Sequence, residues 1–368
     1  MLTVPNRRYL SIDLLKGIGV LYLVFLHQIV WMFIQDDTGH LIFDQAYTFV
    51  YSFCHSILGL LGLQVPLLAG FTFFLNLRTK KRPWKSVSKR ACTLIFLGFL
   101  LNILTWGFSE TFEVEDIFAW DVLGFIGLSM MLVYPIFKQF HDKTAFCILL
   151  SVAVLALACS QLFLFQQWKD SDFCYLYYVF MGDPKGYNYW PLCPWFATFV
   201  WGAFIGKIFI LQQEKYLLGL ACLGGMMFTL SFLTGHLFPP TNTENIWGPN
   251  LFKPDPFFVI GILGFSSLVI PSLDVCLEHR TSLKQALEKH VFAYIGRGTL
   301  WVYMLTIILG YNLTHAIQKH VHLTYQSSLL VLFGLIIFEL CIAGGVGWWE
   351  QQKNKVSSSC NRYISSFK

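Results

Sequence analysis

Long apolar runs separated by short polar stretches recur along this chain from end to end. A helix needs roughly 20 apolar residues to cross the hydrocarbon core of a bilayer. On that rule the runs predict membrane helices at about 11–34, 49–76, 91–107, 118–138, 145–166, 190–210, 216–235, 256–274, 292–313 and 326–349. No linker, low-complexity tract or internal repeat separates them, so residues 1–350 read as one integral domain followed by a short, polar, mobile tail over 351–368. The first run is not a cleavable signal. It is too long, and no small-residue cleavage site follows it before Trp31 and Asp36.

Composition agrees with the pattern: the chain is 55% hydrophobic and only 13% charged. Its mean hydropathy is +0.57, far from that of a soluble domain. Lys and Arg collect on the cytoplasmic side of membrane proteins, which orients the helices. Arg7 and Arg8, the cluster from Arg78 to Arg90, Lys138, Lys143, Lys207, Lys215, Arg280, Lys284 and Lys289 fall on one side, together with the tail cations. The opposite loops hold Lys169, Lys185, Lys253 and Lys319, and the acids Glu110, Glu113, Glu115 and Asp116. The expected fold is therefore all-α, a polytopic helix bundle of about ten spans with both termini cytoplasmic. This asymmetry accounts for the net charge of +5 without a nucleic-acid partner; membrane lipid is the partner implied. The ten cysteines contain no CxxC pair, which argues against a metal or dithiol site. Cys174 and Cys193 flank a non-cytoplasmic loop and could pair if that side is oxidising.

The chemistry concentrates in the first helix, which carries Asp13, Lys16 and His27 within an otherwise apolar segment. Ionisable groups are costly there and generally serve a site or pathway. At about 100° per residue, Lys16 and His27 return to nearly the same helix face, roughly 16 Å apart along the axis. His27 lies late in this helix. Asp121, in WDVLGFIGL, is placed about one turn into the fourth, at a comparable depth. A carboxylate that fixes an imidazole's tautomer would make His27 a general base; packing within the bundle is the alternative. Asp13, Lys16, Arg90 and Arg297 all fall near cytoplasmic helix ends, where the three cations suit a phosphate-bearing ligand. Interfacial snorkelling is the competing reading.

Four further features carry weaker signals. Pro191 and Pro194 bracket the first turn of the sixth helix, where Trp190 and Trp195 form an aromatic wall that could face a sugar ring or simply mark the interface. Gly202 and Gly206, four apart, signal close packing. Glu339, inside the last helix, must pair, line a cavity or stay protonated. Asn102 is equally readable as glue between helices or, with Tyr303 and Trp195, as a donor to a reaction oxyanion.

At these residues the chain resembles the transmembrane acyltransferase superfamily, which includes the acyltransferase-3 proteins and the relatives of heparan-alpha-glucosaminide N-acetyltransferase (the DUF1624 type). The resemblance rests on Ile12, Asp13, Lys16 and Gly17 followed by His27, then VPLLAGFTFFLNLR, KRACTLIFLGFLLNILTWG, WDVLGFIGL, PLCPW, FKPDP and GRGTLWVYML, in family order over nearly the whole chain. It implies transfer of an acyl group from cytoplasmic acetyl-CoA to a carbohydrate or cell-envelope glycan across the membrane. It also implies His27 as the catalytic histidine and Lys16, Arg90 and Arg297 near the donor. The chain departs from the family pattern in having Lys16 where arginine is commoner, and Thr306 where many relatives have a second histidine. Compact size without a long lumenal domain favours a bacterial inner membrane. Two alternatives stand beside the enzyme: a proton-coupled secondary transporter using Asp13, His27 and Glu339, and an inactive relative.

Overall fold

In a computed structural model, residues 9–33, 46, 57–80, 82–106, 117–159, 174–181, 190–211, 214–235 and 255–365 are described. They form fourteen helices: α1 (Leu10–Phe33), α2 (Ile57–Leu63), α3 (Val65–Lys80), α4 (Trp84–Trp106), α5 (Val122–Gln139), α6 (Asp142–Cys159), α7 (Cys174–Met181), α8 (Leu192–Leu211), α9 (Glu214–Leu233), α10 (Pro256–His279), α11 (Thr281–Glu288), α12 (Val291–Arg297), α13 (Thr299–His320) and α14 (Tyr325–Ser365). No strand is present among them. Ten helices are long and apolar enough to span a membrane, matching the expected number: the continuous α2–α3 run from Gly59 to Lys80, α1, α4, α5, α6, α8, α9, α10, α13 and α14 up to Trp349. The chain is an all-α integral membrane protein. Arg7, Arg8, the acids at 110–116 and the FKP of FKPDP lie outside the described residues.

Three expectations change. The ninth predicted helix is two: α12 ends at Arg297, Gly298 has φ −101° and ψ 19°, and α13 starts at Thr299. The loop before it holds α11, a helix that hydrophobicity alone did not announce. The tail does not leave the helix either, because the α14 backbone continues through Ser365.

The described chain groups into two compact units, neither contiguous in sequence, which is why no linker marks them. One comprises residues 63–272 together with two short earlier stretches; the other comprises 8–34, 42–62 and 273–368. In the first unit α8 packs along α3. A Cβ on Gly202 would stand 3.0 Å from the Phe71 amide nitrogen and overlap the Leu67 carbonyl, and one on Gly206 would stand 3.1 Å from the Phe71 carbonyl oxygen. These are the close contacts that the glycine spacing signalled. At the start of α8, Cys193 has extended dihedrals (φ −96°, ψ 117°), as the residue before a proline prefers. The Cys193–Pro194 peptide is cis. Cys193 is a free thiol, and the side chain of Cys174 lies outside the description.

In the second unit α1 is the hub, touching α12, α13 and α14. Two glycines set the α1–α12 crossing. A Cβ on Gly17 would lie 2.9 Å from the Phe292 carbonyl carbon, and one on Gly296 would lie 2.6 Å from the Asp13 carbonyl carbon. The obstacle in both cases is backbone, which cannot swing aside as a side chain can. Gly17→Ala and Gly296→Ala are therefore expected each to destabilise the protein by about 2–3 kcal/mol, the scale of overpacking. Thermal unfolding in detergent, with Gly219→Ala as the control in open space, measures it.

Candidate functional site

In the second unit, His27 sits half-buried on α1, five residues past Tyr22 in a helix whose buried positions are mostly apolar. Its Nδ1 lies 2.5 Å from the Leu23 carbonyl oxygen one turn back. A carbonyl only accepts, so Nδ1 carries the proton and the Nε2 lone pair is left as an acceptor. The ring also packs 5.5 Å from Trp31 and, edge-on, 6.3 Å from Tyr303. Trp31 continues to Tyr311 at 5.2 Å, and Tyr311 stacks on His315 at 6.0 Å. His27 is thus oriented through Nδ1 in an aromatic surround, and in the neutral ring Nε2 is the atom able to take a proton.

The Leu23 carbonyl of the histidine's own helix thus orients the ring at Nδ1. Asp121, in the first unit, is not one turn inside its helix but at its N-cap, where Oδ1 accepts from the Gly124 amide at 2.8 Å. Its Oδ2 is buried without a hydrogen-bond partner. Burial pushes this carboxyl up to about 6, against the pull of the capping amides.

The residue after His27 reveals what the sequence did not single out. Gln28 is fully buried: its amide nitrogen donates to Glu339 Oε1 at 2.5 Å, and its oxygen accepts from Thr314 Oγ1 at 2.9 Å. Glu339 is fully buried as well, with Oε2 unpartnered. Gly310 gives the pair room, since a Cβ there would lie 3.0 Å from Gln28 Cδ and overlap the Glu339 carboxyl. Of the outcomes open to Glu339, the structure shows pairing, and its partner is an amide. A lone polar glutamine directly after the histidine was the only available signal.

At the N-terminal end of α1, Arg297 Nε lies 3.9 Å from Asp13 Oδ2, and its guanidinium sits 5.3 Å from the Tyr294 ring centre. Ser11 donates to Asp274 Oδ1 at 2.9 Å. Lys16 is half-buried one turn further along. Of the anticipated donor-binding set, the second unit brings Asp13 and Arg297 together.

Arg90 belongs to the first unit, where it lines a cleft with Arg82, Thr72, Asn76 and Ser86; no acid is among the lining residues. Tyr134 donates to the Arg82 carbonyl at 3.0 Å and fixes that corner. Arg78, from the same basic cluster, is otherwise engaged. It pairs with Asp142 and lies over the Phe74 and Phe137 rings.

Of the anticipated substrate contacts, Trp195 is fully buried against Trp190, ring centres 4.5 Å apart, with its indole Nε1 lacking a hydrogen-bond partner. The Asn102 amide donates to the Ile117 and Ala119 carbonyls at 3.1 and 2.8 Å, which makes it structural glue and leaves no hydrogen for an oxyanion. Tyr303 stays beside His27. Thr306 is buried and returns its hydroxyl to the Val302 carbonyl at 2.6 Å. Among the described residues, no group of three or more His, Cys, Asp or Glu could hold a metal.

The fold and these sites define an integral membrane protein with a histidine in one span and, in the other unit, a cationic cleft. The catalytic family of heparan-alpha-glucosaminide N-acetyltransferase matches residues 8–239, more than half of the chain. The chain belongs to that family. The matched stretch includes Asp13, Lys16, His27, Arg90 and Asp121, and ends before Arg297, Tyr303, Thr306 and Glu339. No curated protein matches the chain by sequence.

Two predictions follow from these contacts. Glu339→Leu strands the Gln28 amide in apolar surroundings and should cost about 1–3 kcal/mol, whereas Glu339→Gln keeps an acceptor and should cost less than half as much; unfolding in detergent ranks them. For Asp121, the folded state holds its proton to higher pH than the unfolded chain, so stability should fall as pH rises from about 4 to about 6. Asp121→Asn, which still caps, should remove that part of the slope.

Proposed function

We propose that this chain is a membrane acyltransferase. It takes an acyl group, most simply acetyl, from acetyl-CoA on the cytoplasmic side and passes it to a hydroxyl or amino group of a carbohydrate or glycan on the other side, in a bacterial inner membrane. The observation that carries this reading is the His27 imidazole: its proton is committed to Leu23 and its Nε2 lone pair remains as a base. Family membership supplies the reaction class. The Arg82–Arg90 cleft, cationic and without an acid, suits the phosphates of the donor.

In the reaction the acceptor heteroatom attacks the thioester carbonyl while His27 Nε2 removes its proton. The tetrahedral intermediate collapses, the carbon–sulfur bond breaks, and the CoA thiolate leaves and is protonated by the imidazolium. Tyr303, beside the imidazole, is the remaining candidate donor to the oxyanion. Arg297 and Asp13 lie 3.9 Å apart and offset one another's charge, so the attraction for the anionic donor rests on the cleft arginines.

Calorimetry with detergent-purified protein tests the donor half: acetyl-CoA should bind saturably, and Arg90→Ala should weaken it at least tenfold. Transfer of labelled acetyl to glucosamine tests the chemistry, with His27→Gln keeping donor binding and losing transfer by a factor of at least 100. Well-folded protein that binds no CoA thioester would sink the proposal.

A further inference from the structure

Helix α11 follows directly on the C-terminal end of the span α10 and leads into α12, which packs on α1. The span α10 ends at His279, α11 runs Thr281–Glu288, and α12 begins at Val291. Connections of one or two residues on each side leave it no freedom to stand away from α10 and α12. None of its residues is buried.

Its sequence is nevertheless strongly two-sided. At about 100° per residue, Leu283, Ala286 and Leu287 form one apolar stripe, with Arg280 and Lys284 on one shoulder and Lys289 on the other. Thr281, Gln285 and Glu288 lie opposite the stripe. Leu287 is half-buried against the cluster of Leu10, Leu14, Leu277 and Ala293, which anchors the helix to its unit. Leu283 remains 37% exposed and Val291, just beyond, 39%. Lys284 is paired with Glu278 at 2.7 Å, whereas Arg280 and Lys289 have no acidic partner among the described residues. An apolar stripe flanked by cations, with the acid turned away, is the layout of a helix lying in the headgroup layer.

We propose that α11 is a docking surface for anionic phospholipid. Its leucines enter the acyl boundary, while Arg280, Lys284 and Lys289 take lipid phosphates. Each cation contributes modestly, so the preference is cooperative and salt-sensitive. The surface lies outside the Arg82–Arg90 cleft and does not rest on the acyltransferase reading.

The experiment compares the full chain in nanodiscs of phosphatidylcholine with and without one-third phosphatidylglycerol. Wild type should retain phosphatidylglycerol over phosphatidylcholine several-fold by mass spectrometry of co-purified lipid, and should melt higher in the mixed discs. The triple variant Arg280→Gln, Lys284→Gln, Lys289→Gln should lose most of both effects while melting like wild type in phosphatidylcholine alone. If that variant misfolds, the double variant Arg280→Gln, Lys289→Gln, which spares the Lys284–Glu278 pair, carries the same test. Equal retention of the two lipids by wild type overturns the proposal. So does an undiminished preference in a folded variant, or equal stabilisation of wild type by soluble pyrophosphate in phosphatidylcholine discs.

Discussion

In a chain this apolar, each buried polar side chain has to find its hydrogen-bond partner inside the protein, because the membrane offers none. The second unit depends on how Gln28 meets that demand. Its amide both donates, to Glu339 on α14, and accepts, from Thr314 on α13. Three helices are thereby held in one register, since sliding or rotating α1 breaks two buried bonds together. Leucine packing has no such exactness, for it tolerates small shifts at little cost. The adjacent residue is His27, so the register that Gln28 fixes also determines where the imidazole points.

The same helix is constrained at its other end by close backbone approach. Gly17 and Gly296 let α1 and α12 touch main chain to main chain. That contact brings Asp13 to within reach of Arg297, the last residue of α12. Helix α12 stops there because Gly298 breaks the ninth predicted span into two pieces, and the break gives the arginine its position. The ion pair is a consequence of packing and contributes little to holding the helices together. At 3.9 Å it is long, and most of the energy of such a pair is offset by the desolvation of its charges.

The spans were legible in the sequence because their signal is a sum over twenty residues and survives any local irregularity. Their number and the first-helix polar stripe are present in the structure. Partnerships were less legible, because periodicity does not encode which group a polar side chain meets, whether one turn away or, as for Gln28 and Glu339, across the chain. Asp121 illustrates this: the apolar run around it placed it inside a helix, yet its carboxylate satisfies the first amides of α5 and so begins the helix. Trp195 looked interfacial from its place beside two prolines, and tertiary packing buried it. Asn102 and Glu339 were each readable in two ways, and only the identity of the partner separates the readings. Helix α11 was missed for a different reason: eight residues with a narrow apolar stripe fall below the length at which hydrophobicity marks a membrane element.

The choice of partner for His27 has chemical consequences for the proposed reaction. A carboxylate would stabilise the imidazolium, but it would also place a permanent charge in apolar surroundings and require a counter-ion of its own. The Leu23 carbonyl fixes the tautomer without adding charge. In the proposed reaction the imidazolium, once formed, passes its proton to the departing thiolate, the strong base that the reaction generates. Thr306 fits this economy, because its hydroxyl is spent on the Val302 carbonyl and offers no second base. One imidazole that takes a proton from the acceptor and returns it to the leaving group is sufficient for the transfer, and a second histidine at that position is not required by the proton balance.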